Sequence, residues 1–321
     1  MHHPAATDPQ APVLVAGGDA DINLASLLRR LDARGIPHRA VLVGAEGNPS
    51  VSWDLADDVL TIDGEPVRAR GAFIRHDVFT HMADPRQATS QRAGAWHATV
   101  QGWLWAHPRV RLLNRASGRL MNKPYHLMLA RQAGLEIPRT LVSNDTAVLH
   151  ARAAAGPMVV KPVGGGGYCE PLDAMLATAP VRDGRTAAPA IVQNRLEQPE
   201  VRIYHVGGRA IPFRVHSEVL DYRASTATRV EALALDAVPG HLVHGLGRVM
   251  EMLQMDFGAA DFKTDPETGR LVFLELNSSP MFAAFDAVSD GAVSDAIIDF
   301  CTGVTEPTSS SPRQPSSTTR A

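Results

Sequence analysis

The sequence predicts an α/β protein folded in two to three lobes, and three observations carry that expectation. The chain opens on a strand–helix–strand alternation, its second half carries two hairpin signals, and its 321 residues are 45% hydrophobic and 20% charged. That is enough apolar content to bury one large core or several smaller ones. The formal net charge is -3 with signs mixed along the chain, so no basic stripe of the kind that holds nucleic acid or a membrane surface is expected, although Arg-rich stretches suit an acidic peptide. Cys169 and Cys301 are the only cysteines, too far apart in sequence for a disulfide framework or a zinc cluster, which fits a reducing cytoplasm. No window approaches the ~18 consecutive apolar residues of a membrane helix. The opening Met1–Ala11 is short and polar, and it lacks the basic and apolar regions of a signal peptide.

The elements follow in order. Val13–Ala16 reads as a buried strand and Gly17-Gly18 as a turn. Asn23–Arg34 reads as a helix with Leu24, Leu27, Leu28 and Leu31 on one face and Gly35 at its end. Arg39–Val43, Val59–Ile62 and Gly71–Ile74 read as strands; no Gly-x-Gly-x-x-Gly fingerprint marks a dinucleotide site. Gln87–Ala106 carries Trp96, Val100, Trp103 and Leu104 at helical spacing, expected as core. A helical stretch runs from Leu113 to Ala133, followed by a strand at Thr140–Val142. Ile191–Gln193 and Arg202–Val206 are strand-like, and Gly207-Gly208 turns the chain back through Ala210–Phe213. A helix at His241–Met255 precedes strands at Gly258–Lys263 and Leu271–Leu276. The Ser, Thr and Pro of residues 305–321 predict a disordered tail, and no internal repeat is present.

Lysine usage points to chemistry. Of 31 Lys and Arg residues only three are Lys, at 123, 161 and 263, leaving 28 Arg. Where the chain departs from Arg, the compact ammonium is expected to serve a purpose a planar guanidinium serves differently.

Asp261 and Glu275 flank a turn at Asp265–Gly269 that joins two apolar runs. In a regular hairpin they sit directly opposite each other, where like charges repel unless something positive lies between them. Asn277 follows Glu275 by two and shares its face. Two carboxylates and an amide oxygen form a hard, oxygen-only site suited to Mg²⁺ held with phosphates. An exposed acidic hairpin balanced by Lys263 is the alternative; the apolar Val272-Phe273-Leu274 and Leu276 argue against it, because a covered strand requires a partner for its carboxylate. The second constellation is Met158–Pro162, an apolar strand ending in Lys161, followed at once by Val163 and four glycines, Gly164, Gly165, Gly166 and Gly167. Such a loop approaches a polyphosphate closely and offers N–H donors, with Lys161 as a point charge beside it. No Gly-Lys-Ser/Thr ends it, so it is not a Walker loop.

Lys123, Lys161-Pro162 with its glycine loop, Gln193, Glu200-Val201-Arg202, Asp261 and Glu275-x-Asn277 resemble, in order and spacing, the motif set of the ATP-grasp superfamily. Within it, residues 114–145, Phe257–Asp261 and Val272–Asn277 resemble the microviridin-type peptide maturases, or graspetide ligases, and the RimK-like glutamate ligases. The resemblance implies a disordered start at 1–11, a Rossmann-like pre-ATP-grasp lobe at 12–113, a small lobe with the glycine loop at 114–190, a C-terminal lobe with the metal site at 191–304 and a disordered tail at 305–321. It implies ATP and Mg²⁺ as cofactors: Lys123 and Lys161 on the phosphates, Gly164–Gly167 closing over them, and Gln193, Asn194, Arg195, Leu196 and Glu197 on the hinge. The backbone near Arg195 and Leu196 would read adenine, and Glu197 or Glu200 would lie near the ribose. Asp261, Glu275 and Asn277 would hold the metal, and Arg202, Arg214 and Arg223 would stabilise the transferred phosphate or acyl group, with Arg229 a further candidate. Three departures stand out: Pro124 after Lys123, Asn194 where relatives carry an acidic residue, and Ser278-Ser279-Pro280 after Asn277, closer to the ribosomal-protein ligases.

The implied reaction is ATP-dependent carboxylate–amine ligation through an acyl phosphate, on a peptide. Alternatives are a ligase for small amino acids or dipeptides, or a nucleotide-binding regulator with a silent ligase fold. The expected partners are a peptide or amino-acid substrate and a second copy of the chain as a homodimer, without nucleic acid or membrane.

Overall fold

A computed structural model describes residues 8–44, 47–77, 84, 86–116, 122–164, 169–217, 220 and 228–304. The first lobe contains β1 (Val13–Gly18), α1 (Ile22–Ala33) and β2 (His38–Val43). A small antiparallel sheet of β3 (Val51–Asp54), β4 (Val59–Ile62) and β5 (Glu65–Pro66) follows, then β6 (Gly71–Ile74), α2 (Gln87–Ala106) and β7 (Arg111–Leu112). Its main sheet is parallel with order β2-β1-β6-β7. The chain leaves β1 toward β2 on one side and returns as β6 on the other, so the sheet changes direction at the C-terminal ends of β1 and β6. Asp21 caps α1 by accepting from the Asn23 amide at 2.8 Å, and Leu24, Leu27 and Leu31 are buried along one stripe. β1 runs straight through Gly17 and Gly18, where a turn was expected.

α3 (Lys123–Gln132) leads into the second sheet. It comprises β8 (Thr140–Asp145), β9 (Met158–Pro162), β10 (Glu170–Pro171), β11 (Val181–Arg182) and β12 (Arg185–Asn194), with α4 (Thr146–Ala154) and α5 (Leu172–Thr178) between strands. Its order is β10-β9-β12-β11, and β8 also pairs with β12. The helix expected from Leu113 begins ten residues later, at Lys123. Asn122 caps it by accepting from the Tyr125 amide at 2.9 Å, and Pro124 in the first turn has no N–H to leave unpaired. β12 crosses the expected 190/191 division.

The third sheet is antiparallel: β13 (Glu197–Val206), β14 (Arg209–His216), β15 (Arg229–Ala232), β16 (Phe257–Thr264) and β17 (Leu271–Asn277), in the order β15-β14-β13-β16-β17. α6 (Gly240–Met252) lies between β15 and β16, and α7 (Ala283–Asp286) and α8 (Ala292–Thr302) follow β17. Its reverse face carries Val201, Ile203, Phe262 and Phe273, buried against Leu242, Leu246 and Val249 of α6 and Leu127 and Ala130 of α3. Half of its front face packs Tyr204 and Phe213 with Phe285, Ile297, and Val15, Leu24 and Phe73 of the first lobe in one continuous core. The other half of that face looks toward β9 and β12.

The first lobe is locked to the end of the chain. Asn23 Oδ1 accepts from the Phe282 and Ala283 amides at 2.6 and 2.9 Å. Arg75 Nε meets Asp21 at 2.7 Å and its Nη1 donates to the Pro280 carbonyl at 2.9 Å. Arg30 and Arg34 clasp Asp295 and Asp299 of α8, with Arg209 on the far side of Asp299. At Gly71 the backbones are so close that an added Cβ would stand 2.1 Å from the Cys301 carbonyl oxygen. Among the described residues, no helix is long and apolar enough to cross a membrane.

Candidate active site

Strand pairing places three charged side chains in one row. Arg202 on β13 is opposite Asp261 on β16, which is opposite Glu275 on β17. The expected Asp261–Glu275 pairing is present, but the hairpin is not regular. From the turn, Thr264, Lys263 and Phe262 face Leu271, Val272 and Phe273, and the register then jumps so that Asp261 meets Glu275. Leu274 is the extra residue of a β-bulge; were the register from the turn to continue unbroken, Asp261 would face Leu274 in place of Glu275. The next row toward the turn holds Glu200 opposite Lys263, and the row behind holds Tyr204, Ala259 and Asn277.

The two carboxylates do not share one positive partner between them; each has its own among the side chains. Arg202 grips Asp261 with both arms, Nε to Oδ1 at 2.6 Å and Nη2 to Oδ2 at 2.7 Å. Glu275 Oε2 lies 3.3 Å from Lys123 Nζ and 3.7 Å from Lys161 Nζ, so the first turn of α3 and the second sheet both reach across to it. Burial lowers the pKa of Lys161, as does Lys123, and the Glu275 carboxylate opposes them. Lys263 Nζ sits 3.3 Å from Glu200. Burial, then the Asp261 charge, push Glu200 up to about 7 against the pull of Lys263 and Arg202. All three lysines of the chain therefore stand in one cleft.

Between the two sheets lies a cavity of about 70 Å³ with Val159, Leu196 and Leu274 as apolar walls and Lys161, Glu200, Asp261 and Glu275 as polar ones. It adjoins one of about 480 Å³ that shares Asn194, Leu196, Leu220 and Lys263. The joined space is of ligand size. Gln193 Nε2 donates to Thr140 Oγ1 at 2.9 Å, while Gln193 Oε1 and Asn194 Oδ1 are buried without a hydrogen-bond partner. Two unsatisfied acceptors at about 1–3 kcal/mol each mark a place for donors from a bound molecule.

Among the sequence-predicted residues, Lys123, Lys161, Gln193, Asn194, Leu196, Glu200, Arg202, Asp261, Glu275 and Asn277 converge here. Gly164 is exposed just past the end of β9, and Arg195 and Glu197 line only the outer cavity. Arg214 is not brought in: it pairs with Val201, neighbour of Arg202, and so points to the reverse face beside Glu231. Arg229, opposite His216, lies on that reverse face too. Gly165, Gly166, Gly167 and Arg223 lie outside the described residues. Lys263 was singled out in the sequence as one of three lysines and as the counter-charge of an acidic hairpin, without a place among the site residues; its spacing of two from Asp261 was the signal that it shares the cleft.

Among the described residues, no three His, Cys, Asp or Glu side chains are grouped to hold a metal ion. A divalent cation would rest on Asp261, Glu275 and the Asn277 amide oxygen, with ligand oxygens completing the shell. Asn277 Nδ2 lies 3.4 Å from Asp261 Oδ2, which directs its oxygen away from Asp261. This all-oxygen set suits Mg²⁺.

No family model matches the chain, and no curated protein matches its sequence. Solved structures match its fold. The ATP-grasp ligase PsnB, complexed with a minimal precursor, Mg and ADP, superposes with TM-score 0.70 at 24% identity, covering 94% of this chain and 100% of that one. The chain has the ATP-grasp fold. Macrocyclase MdnC from Microcystis aeruginosa MRC, bound with precursor peptide MdnA, gives TM-score 0.67 at 18% identity over 91% of this chain and 100% of that one. The VanG D-Ala:D-Ser ligase from Enterococcus faecalis gives 0.59 at 16% over 92% and 99%.

Proposed function

We propose that this ATP-grasp chain is a carboxylate–amine ligase that binds Mg·ATP between its second and third sheets and acts on a peptide. The observation that carries the reading is the row Arg202, Asp261 and Glu275 facing Lys123 and Lys161 across a cleft with two unsatisfied acceptors. Lys123 and Lys161 would leave Glu275 for the phosphates, and Gly164–Gly167 would cover them. Gln193 and Asn194 would accept from the base amino group while Val159, Leu196 and Leu274 sandwich its ring. Asp261, Glu275 and Asn277 would hold Mg²⁺, which neutralises charge on the transferred phosphoryl oxygens when bound. Arg202, already on Asp261, places a fixed cation beside that phosphoryl group. A substrate carboxylate becomes an acyl phosphate, and an amine then displaces phosphate to give an amide. Water must be excluded while the acyl phosphate persists.

A peptide substrate is supported by PsnB and MdnC, both solved with precursor peptides; VanG, a D-Ala:D-Ser ligase, is the basis for the small-amino-acid alternative. ADP release is to be measured with Mg·ATP and either single free amino acids or a candidate precursor peptide. Release that requires the peptide supports the reading, and release with free amino acids alone replaces it with the alternative. Mg·ATP binding with no turnover on either would leave the regulator.

A further inference from the structure

Beyond the nucleotide cleft, a cavity of about 210 Å³ opens between the first lobe and the third sheet. Arg75 and His76, just past the C-terminal end of β6, form one side of it, His97 of α2 a second, and Asn114, Ser278 and Ser279 the third. Its position has two meanings. Ser278 directly follows Asn277, so the wall begins one residue, about 3.3 Å of strand, past the proposed metal ligand. It also stands at the C-terminal strand ends where the parallel sheet switches direction, the crevice in which open α/β sheets take their ligands.

The His76 and His97 rings meet edge to face, with centroids 5.5 Å apart. His97 is half-buried and His76 exposed. Burial, and then the neighbouring His76, hold His97 below the usual imidazole range, which keeps it neutral at pH 7. The charged groups of the described residues that face this pair are Arg75, tied to Asp21, and Asp77, which lines the adjoining pocket with His97. α2 adds Gln101, and the strand exits add Asn114, Ser278 and Ser279, all uncharged.

We infer that this cavity receives the amine-bearing end of the second substrate and that His97 is the base that takes its proton. The inference rests on the ligase reading above and names the acceptor half of that reaction. An alkyl ammonium must lose a proton to become a nucleophile. That proton passes to His97 and on to solvent past the exposed His76. The C–N bond then forms as the C–O bond to phosphate breaks, phosphate leaves with the electron pair, and the second amine proton departs with it as HPO₄²⁻.

The test uses the full chain with Mg·ATP and the peptide found in the ADP-release assay, with hydroxylamine as a nucleophile that needs no base. In wild type, amide formation should rise with pH along a limb set by His97. His97→Asn should lower kcat for the amide about 100-fold and remove that limb, while hydroxamate formation stays within about twofold. His76→Asn should keep amide formation and move the limb to higher pH, because the downward pull of His76 on His97 is lost. Wild-type amide rates in His97→Asn, or an equal fall in hydroxamate, overturn the assignment. Absence of hydroxamate with wild type would overturn the ligase reading itself.

Discussion

Glu275 carries two lysine ammoniums and Asp261 a bidentate guanidinium, so in this state neither carboxylate is available to a bare cation. A divalent ion arriving alone would have to displace partners at close range, where one such contact is worth on the order of 1–4 kcal/mol. On the reading proposed above, polyphosphate would remove that obstacle by drawing the lysines to itself. Mn²⁺ binding followed by electron paramagnetic resonance should therefore be weak without nucleotide and strong with ADP. Lys161→Met should raise affinity for Mn²⁺ alone by about tenfold; equal binding with and without ADP in wild type would refute the exclusion. Glu200 supplies a separate test. Its folded pKa of about 7 lies above its ordinary 4.5, so its protonated form favours folding and that contribution is lost as pH rises through about 7. Thermal melts of the unliganded protein should show this decline, and Glu200→Gln should flatten it.

At the scale of elements, the β16–β17 hairpin depends on Leu274. Deleting it restores a regular ladder in which Glu275 still faces Asp261, but it removes the Leu274 wall of the cavity. Nucleotide binding, read by calorimetry, should weaken while far-UV circular dichroism is retained; unchanged binding would show that the bulge and its apolar wall are dispensable. Both strands of this hairpin were legible in the sequence, since apolar runs flank an Asp-Pro-Glu-Thr-Gly turn, whereas the meeting of Asp261 with Glu275, expected from a regular ladder, is produced by the bulge. The bulge was not legible, because it is a feature of the pairing register between β16 and β17 and no residue type in the hairpin marks it. Arg214 illustrates the other limit. Its motif position suggested a site residue, yet its strand register points it away from Asp261, and register is a property of the whole sheet. The start of α3 was misplaced because Leu112 and Leu113, apolar like a helix stripe, belong to the edge of the first lobe's core.

Across the whole molecule, the first lobe and the chain's end share a core and an ion network. Burial works against the Asp295 carboxylate, but Arg30 and Arg34 hold it below its usual range, so its contribution is present above about pH 4 and lost as acid protonates it. Asp295→Asn should make the acid-unfolding midpoint less sensitive to Arg34→Gln than it is in wild type. Gly71→Ala forces β6 away from α8 and should cost about 1–3 kcal/mol, measurable by urea denaturation; no change would mean that the two backbones separate freely. The hold of Asn23 on the Phe282 and Ala283 amides has a practical corollary. A fragment starting near residue 114 would expose Phe213, Phe282 and Ile297 to water and leave those amides without acceptors, so the half that holds the second and third sheets is expected to aggregate when expressed by itself. Attempts to trim this protein should remove its ends and leave the opening lobe in place.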